Sequence, residues 1–124
     1  MKHLVFVLIW LSTPAWAEWT HISDDDGFVT YADLATTRNG NTVQIWTLFD
    51  YKTAQQRAAD RPFLSSRSQW EFDCGGKKYR LLTILSYSGR MGHGSTVYFD
   101  LDPGNGISSV PESHIKQLWK VACK

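Results

Sequence analysis

The chain has 124 residues, with 13 Lys and Arg against 12 Asp and Glu and a formal net charge of +1. It lacks the basic excess that a nucleic-acid partner demands, so no nucleic acid is expected. Its length suits one domain with a single sizeable core, and no repeat or low-complexity segment divides it.

Lys2 and His3, an apolar core over 4–11, Pro14 and the run Ala15-Trp16-Ala17 ahead of Glu18 read as a secretory signal peptide, 1–17, cleaved after Ala17. The apolar core is shorter than the roughly 20 residues of a membrane-spanning helix. Removing these 17 residues leaves 107, the expected domain 18–124, with 12 basic and 12 acidic residues once Lys2 is gone. No later stretch is long and apolar enough to cross a membrane, so no transmembrane segment is expected.

Residues 19–22 form a short candidate strand, closed by the turn Asp24-Asp25-Asp26-Gly27, whose consecutive aspartates lack the alternate spacing of a calcium loop. Residues 28–32 (FVTYA) are rich in β-formers and read as a strand. The cluster Arg38-Asn39-Gly40-Asn41 is the strongest turn signal, because Asn-Gly readily supplies positive φ angles. It leads into a strand over 42–51 (TVQIWTLFDY) with apolar residues on both faces: Val43, Ile45, Phe49 and Tyr51 on one, Trp46 and Leu48 on the other. A sheet buried on one side only alternates more cleanly, so part of each face is expected to be covered.

Residues 52–64 (KTAQQRAADRPFL) change character and read as a surface loop with a helical turn, for which Thr53 has cap chemistry and which Pro62 limits. Its exposure makes it a candidate contact surface for a protein partner, as is the sheet edge. Strands over 65–72 and 79–88 flank the turn Cys74-Gly75-Gly76-Lys77, and Asp73 is placed to accept turn amides. The second strand is again two-sided, with Leu82 and Ile84 on one face and Leu81, Leu85 and Tyr87 on the other. A packed helix accounts for half of this signal; a dimer contact or an edge-covering loop accounts for the rest.

Residues 89–94 (GRMGHG) read as a flexible hairpin loop, since the strand 95–101 follows and a phosphate loop opens a helix instead. After the turn-rich 102–108, Ser109 and Glu112 have capping-box spacing with Pro111 in the first turn. Ile115, Leu118, Trp119 and Ala122 then fall at i, i+3, i+4 and i+7, one apolar helical stripe whose edge carries Cys123.

The mature chain has two cysteines, Cys74 and Cys123, and an oxidising compartment favours their disulfide. The bond ties the last helical turn to the turn between the central strands. Their spacing fits neither a zinc site nor a CxxC motif. His21, His93 and His114 are isolated, and HExxH and GxSxG are absent, so no catalytic residue, metal ligand or cofactor-binding residue is assigned and no enzyme is expected. His93 reads as solvated and His114 as a surface residue of the helix.

Taken in order, Trp19, Tyr31-Ala32-Asp33, Arg38-Asn39-Gly40 and Trp46-Thr47-Leu48-Phe49-Asp50-Tyr51 make the first half of a recognisable set. Ser66, Glu71-Phe72-Asp73-Cys74, Tyr79-Arg80, Tyr87 and Val110-Pro111-Glu112-Ser113 up to Cys123 complete it. The set resembles the surface-adhesin protein E family of Gram-negative bacteria over almost all of 18–124. The resemblance implies an α+β fold: an antiparallel sheet of about six strands, with a C-terminal helix on its concave face tethered by the disulfide. It also implies a non-enzymatic protein-binding role, with host extracellular-matrix or serum proteins such as laminin, vitronectin and plasminogen as partners and with possible homodimers.

The family's founding adhesin is a lipoprotein held at the outer membrane, whereas Ala15-Trp16-Ala17-Glu18 carries no cysteine for lipid attachment. A periplasmic or secreted protein is therefore expected, with cell-surface association open. The alternative role is a periplasmic structural or envelope-assembly protein acting as a homodimer or complex subunit.

Overall fold

The structure, a computed structural model, describes residues 18–57, 60–101, 108–109 and 113–124. Strands β1 (Trp19–Asp24), β2 (Phe28–Asp33), β4 (Thr42–Gln55), β5 (Phe63–Asp73), β6 (Lys78–Tyr87) and β7 (Thr96–Asp100) run in that spatial order through one antiparallel sheet. Two short strands fill gaps beside it. β3 (Thr37–Asn39) pairs with β4 ahead of β2's partners, and β8 (Ser108–Ser109) pairs with the start of β6.

Local chemistry sets the turns. Gly40 sits at φ +64°, where a side chain is strained, and carries the β3–β4 hairpin that Asn39-Gly40 announces. Asp73 Oδ1 accepts the Gly76 amide at 3.1 Å, the turn role expected of it. Cys74 N in turn donates to Asn41 O, which locks the β5–β6 turn against the β3–β4 turn.

Helix α1 (Ser113–Ala122) lies on one face of this end of the sheet. Its stripe of Ile115, Leu118 and Ala122 is buried against Ala32, Val43, Ile45, Trp70 and Phe72, with Trp119 packed at the margin. Burying Ile115 and Leu118 contributes about 1.5–3 kcal/mol each. Cys74 and Cys123 are disulfide-bonded with Cα atoms 5.5 Å apart, so the helix is stapled to the turn beneath its last residues. Arg38 Nη2 also donates to the Ala122 carbonyl, a cationic partner where the helix dipole is negative.

Further along this face the filling changes to hydroxyls among aromatic rings. Thr30, Thr47, Ser66, Ser68 and Ser86 are fully buried there. Trp70 Nε1 donates to Thr47 Oγ1 at 2.8 Å, Thr47 Oγ1 donates to Ser68 O, and the Ser66 and Ser86 hydroxyls share a hydrogen bond at 3.0 Å. Burial pushes the Tyr51 phenol above its ordinary pKa, a rise that its hydrogen bond with Ser66 partly offsets.

One expectation needs correction in its bounds. Residues 52–64 are not all loop: β4 runs on to Gln55, β5 begins at Phe63, and Gln55 pairs with Phe63, which leaves a shorter connection in which the Asp60 amide donates to the Arg57 carbonyl. Phe63 is buried beside Tyr51 with ring centroids 5.7 Å apart, and this apolar anchor outweighs the polar composition of Lys52, Thr53 and Ala54, which are exposed. The capping box expected of Ser109 and Glu112 lies outside the described residues, since Glu112 is not among them; the Ser109 backbone pairs with Lys78 in β8. The strands expected at 19–22, 28–32, 42–51, 65–72, 79–88 and 95–101 are all present, with ends shifted by a few residues.

Candidate functional site

With α1 closing one face, the opposite face is where the molecule can present side chains. Strand alternation turns Gln44, Trp46, Leu48 and Asp50 of β4 toward it, with Ser65, Arg67, Gln69 and Glu71 of β5 as their cross-strand partners. These residues are grouped by three interactions.

At one end the β6–β7 loop folds back as a clamp. Its single 3₁₀ turn, Arg90–Gly92, lies over β4 and β5. Met91 N donates to Asp50 Oδ1, Gly92 N donates to Ser65 Oγ, and Ser65 Oγ donates to Gly89 O at 2.6 Å. Arg90 donates to the carbonyls of Tyr51 and Lys52 and pairs with Asp50. Gly94, at φ +86°, is required here because a Cβ would strike Ser88 Oγ and the Gly89 backbone. The expected flexible loop is thus a hairpin connection held down by hydrogen bonds, and it covers Leu48, which is fully buried. It covers part of the face opposite α1, as the two-sided pattern of 42–51 calls for.

At the other end a polar relay crosses three strands. Gln69 Nε2 donates to Gln44 Oε1, Gln44 Nε2 donates to Glu71 Oε2, and Arg80 Nε donates to Glu71 Oε1 at 2.9 Å. Beside it lies an open depression of about 280 Å³ lined by Thr42, Glu71, Asp73, Lys78, Tyr79 and Arg80. That volume is under the roughly 300–1,000 Å³ of small-molecule pockets, and its Arg80 and Glu71 charges already neutralise each other.

Between clamp and relay, one residue from each of the six main strands forms a continuous transverse row. The register gives His21↔Tyr31↔Leu48↔Arg67↔Leu85↔Phe99. His21 and Tyr31 meet edge-on, with ring centroids 5.8 Å apart. The Arg67 guanidinium stacks over Trp46, its Cζ 4.7 Å from the ring centroid. Phe99 is 62% exposed and Leu101, just beyond, 70% exposed, both at the β7 side of the sheet, its last strand among the described residues.

The remaining candidates stay apart. His93 is exposed on the clamp, and His114 belongs to α1. Among the described residues no group of three or more His, Cys, Asp or Glu could hold a metal ion. The hairpin tip between β4 and β5 docks on the β7 end through Arg57, whose guanidinium lies 3.6 Å over the Tyr98 ring. Among the described residues no helix is long and apolar enough to cross a membrane. Sequence reasoning missed the row because its members lie on six separate strands; only the register brings them together.

Comparison with curated proteins finds no match. Among solved structures the chain is similar to protein E of Haemophilus influenzae, at 11% identity and a TM-score of 0.58, with 88% of this chain and 86% of that chain covered. A second crystal form of that protein gives 11% identity and a TM-score of 0.57, with 90% of this chain and 96% of that chain covered. At such identity the likeness is one of fold. The family model for surface-adhesin protein E matches residues 19–124, and the chain therefore belongs to the surface-adhesin protein E family.

Proposed function

We propose that residues 18–124 form an exported, non-enzymatic adhesin-type domain that binds a protein partner on the helix-free face of its sheet, with the leader 1–17 removed after Ala17. The observation that carries this reading is the Arg67–Leu85–Phe99 end of the transverse row, a partly apolar band that is exposed at Phe99 and lies on the face that no helix covers among the described residues. Membership of an adhesin family supports the class of activity. The proposed partners are extracellular-matrix or serum proteins, and the proposed location is periplasmic or secreted, with association at the cell surface. The test is surface plasmon resonance of the mature chain over immobilised laminin, vitronectin and plasminogen. Saturable binding with Kd near 1 μM or tighter is expected; signals no larger than those on an albumin surface would contradict the reading.

A second reading, an envelope-assembly subunit acting as a homodimer, is favoured by one feature. Among the described residues β7 ends the sheet with Phe99 exposed, and an open strand edge is a template for pairing with another chain. Sedimentation velocity decides it, since a protein that stays monomeric at high concentration is not a homodimer.

A further inference from the structure

Arg67 sits at the centre of the transverse row with no charge partner among the described residues. Its register neighbours are Leu48 and Leu85, its guanidinium lies over Trp46, and its Nε–H is buried with no hydrogen-bond acceptor. Among the described residues no carboxylate lies within ion-pair distance of it. The other two arginines on this face are already engaged, Arg80 with Glu71 and Arg90 with Asp50. A guanidinium half-buried among apolar groups is costly to keep without a counter-charge; its Nε–H is closed off from the surface, so a carboxylate arriving from outside offsets that cost at the terminal amino groups.

We infer that Arg67 is the specificity-determining anchor of a docking surface for an apolar protein segment that carries an Asp or Glu side chain. The carboxylate accepts from the terminal Nη groups of Arg67 while its apolar neighbours lie on Trp46, Leu85 and Phe99, the aromatic and arginine chemistry that dominates binding hot spots. A single uncompensated guanidinium suits one carboxylate. An anionic membrane or nucleic acid is held instead by several cations together. The inference rests on the protein-binding reading above and adds the chemistry of the partner.

The test uses the mature chain as bait for a displayed library of random dodecapeptides, followed by affinities of the selected peptides. Selected sequences are expected to place Asp or Glu between apolar residues. Replacing that acid with its amide, or Arg67→Gln in the protein, is expected to weaken binding about tenfold or more. Arg67→Glu is expected to abolish binding of the acidic peptide and to restore binding of a peptide whose acid is replaced by Arg, a rescue that a misfolded variant cannot give. Selected peptides without an acid, or affinities indifferent to Arg67→Gln, overturn the inference. If laminin, vitronectin or plasminogen binds wild type and Arg67→Gln equally, the inference falls and the protein-binding reading stands. If neither peptides nor those proteins bind, the protein-binding reading falls and takes the inference with it.

Discussion

On β4, Val43, Ile45 and Thr47 point toward α1 and are sealed from water, whereas Gln44 and Trp46 between them point to the other face and stay half-buried. On the helix face most groups are matched internally: Ile115, Leu118 and Ala122 meet aliphatic and aromatic partners and Trp70 finds Thr47, while Thr30 Oγ1 and Trp119 Nε1 are buried without a hydrogen-bond partner among the described residues. The opposite face is matched at its ends, by the clamp on Asp50 and Ser65, which also covers Leu48, and by the Gln69–Gln44–Glu71–Arg80 relay, and among the described residues it is exposed at the Phe99 end of the row. One surface of the sheet specifies the fold, and the other is available for recognition.

That contrast can be broken or sharpened by variants of graded effect. Replacing both cysteines (Cys74→Ser with Cys123→Ser) releases a closed loop of about 50 residues and is expected to remove about 4 kcal/mol from unfolding in urea. A loss below about 1 kcal/mol would mean that packing alone seats the helix. Leu118→Ala should cost about 3 kcal/mol in the same assay, because it opens a cavity under a side chain with no exposed surface.

On the opposite face, Asp50→Ala removes the acceptor of Met91 N and the partner of Arg90, so a smaller loss of about 1–2 kcal/mol is expected. Hydrogen exchange should then speed up at the Met91 amide while the β4–β5 ladder stays protected. Unchanged exchange at Met91 would show that the clamp is held by its glycine geometry alone.

The smallest effect concerns pH. The folded Tyr51 phenol titrates above its ordinary value of about 10, so its contribution to stability is complete below pH 10 and is lost as pH rises through the folded value. Tyr51→Phe should cost about 1 kcal/mol at pH 7 through the lost hydrogen bond with Ser66 and should flatten the decline of stability above pH 10. An unchanged alkaline slope would remove Tyr51 from that account.

Much of the helix face was legible in the sequence. The stripe Ile115, Leu118, Ala122 and the pair Cys74, Cys123 have the spacing and chemistry to announce a stapled helix, and hairpin turns advertise themselves at Asn39-Gly40. The hydroxyl layer was hidden because Ser66, Ser68 and Ser86 read as polar until register pairs them. Lys52–Gln55 was hidden for a related reason: a strand exposed on both faces shows no alternation, and its pairing comes from Phe63 across the hairpin. The candidate site was the least legible part, because a row built of one residue per strand has no signature along the chain.

The most direct test of the division between the faces compares two charge reversals in binding to immobilised vitronectin. Arg67 stands on the helix-free face, and Lys120 is exposed on α1. The account predicts at least a tenfold loss of affinity for Arg67→Glu and no change for Lys120→Glu. Loss on Lys120→Glu with Arg67→Glu unaffected would place recognition on the helix side and contradict it.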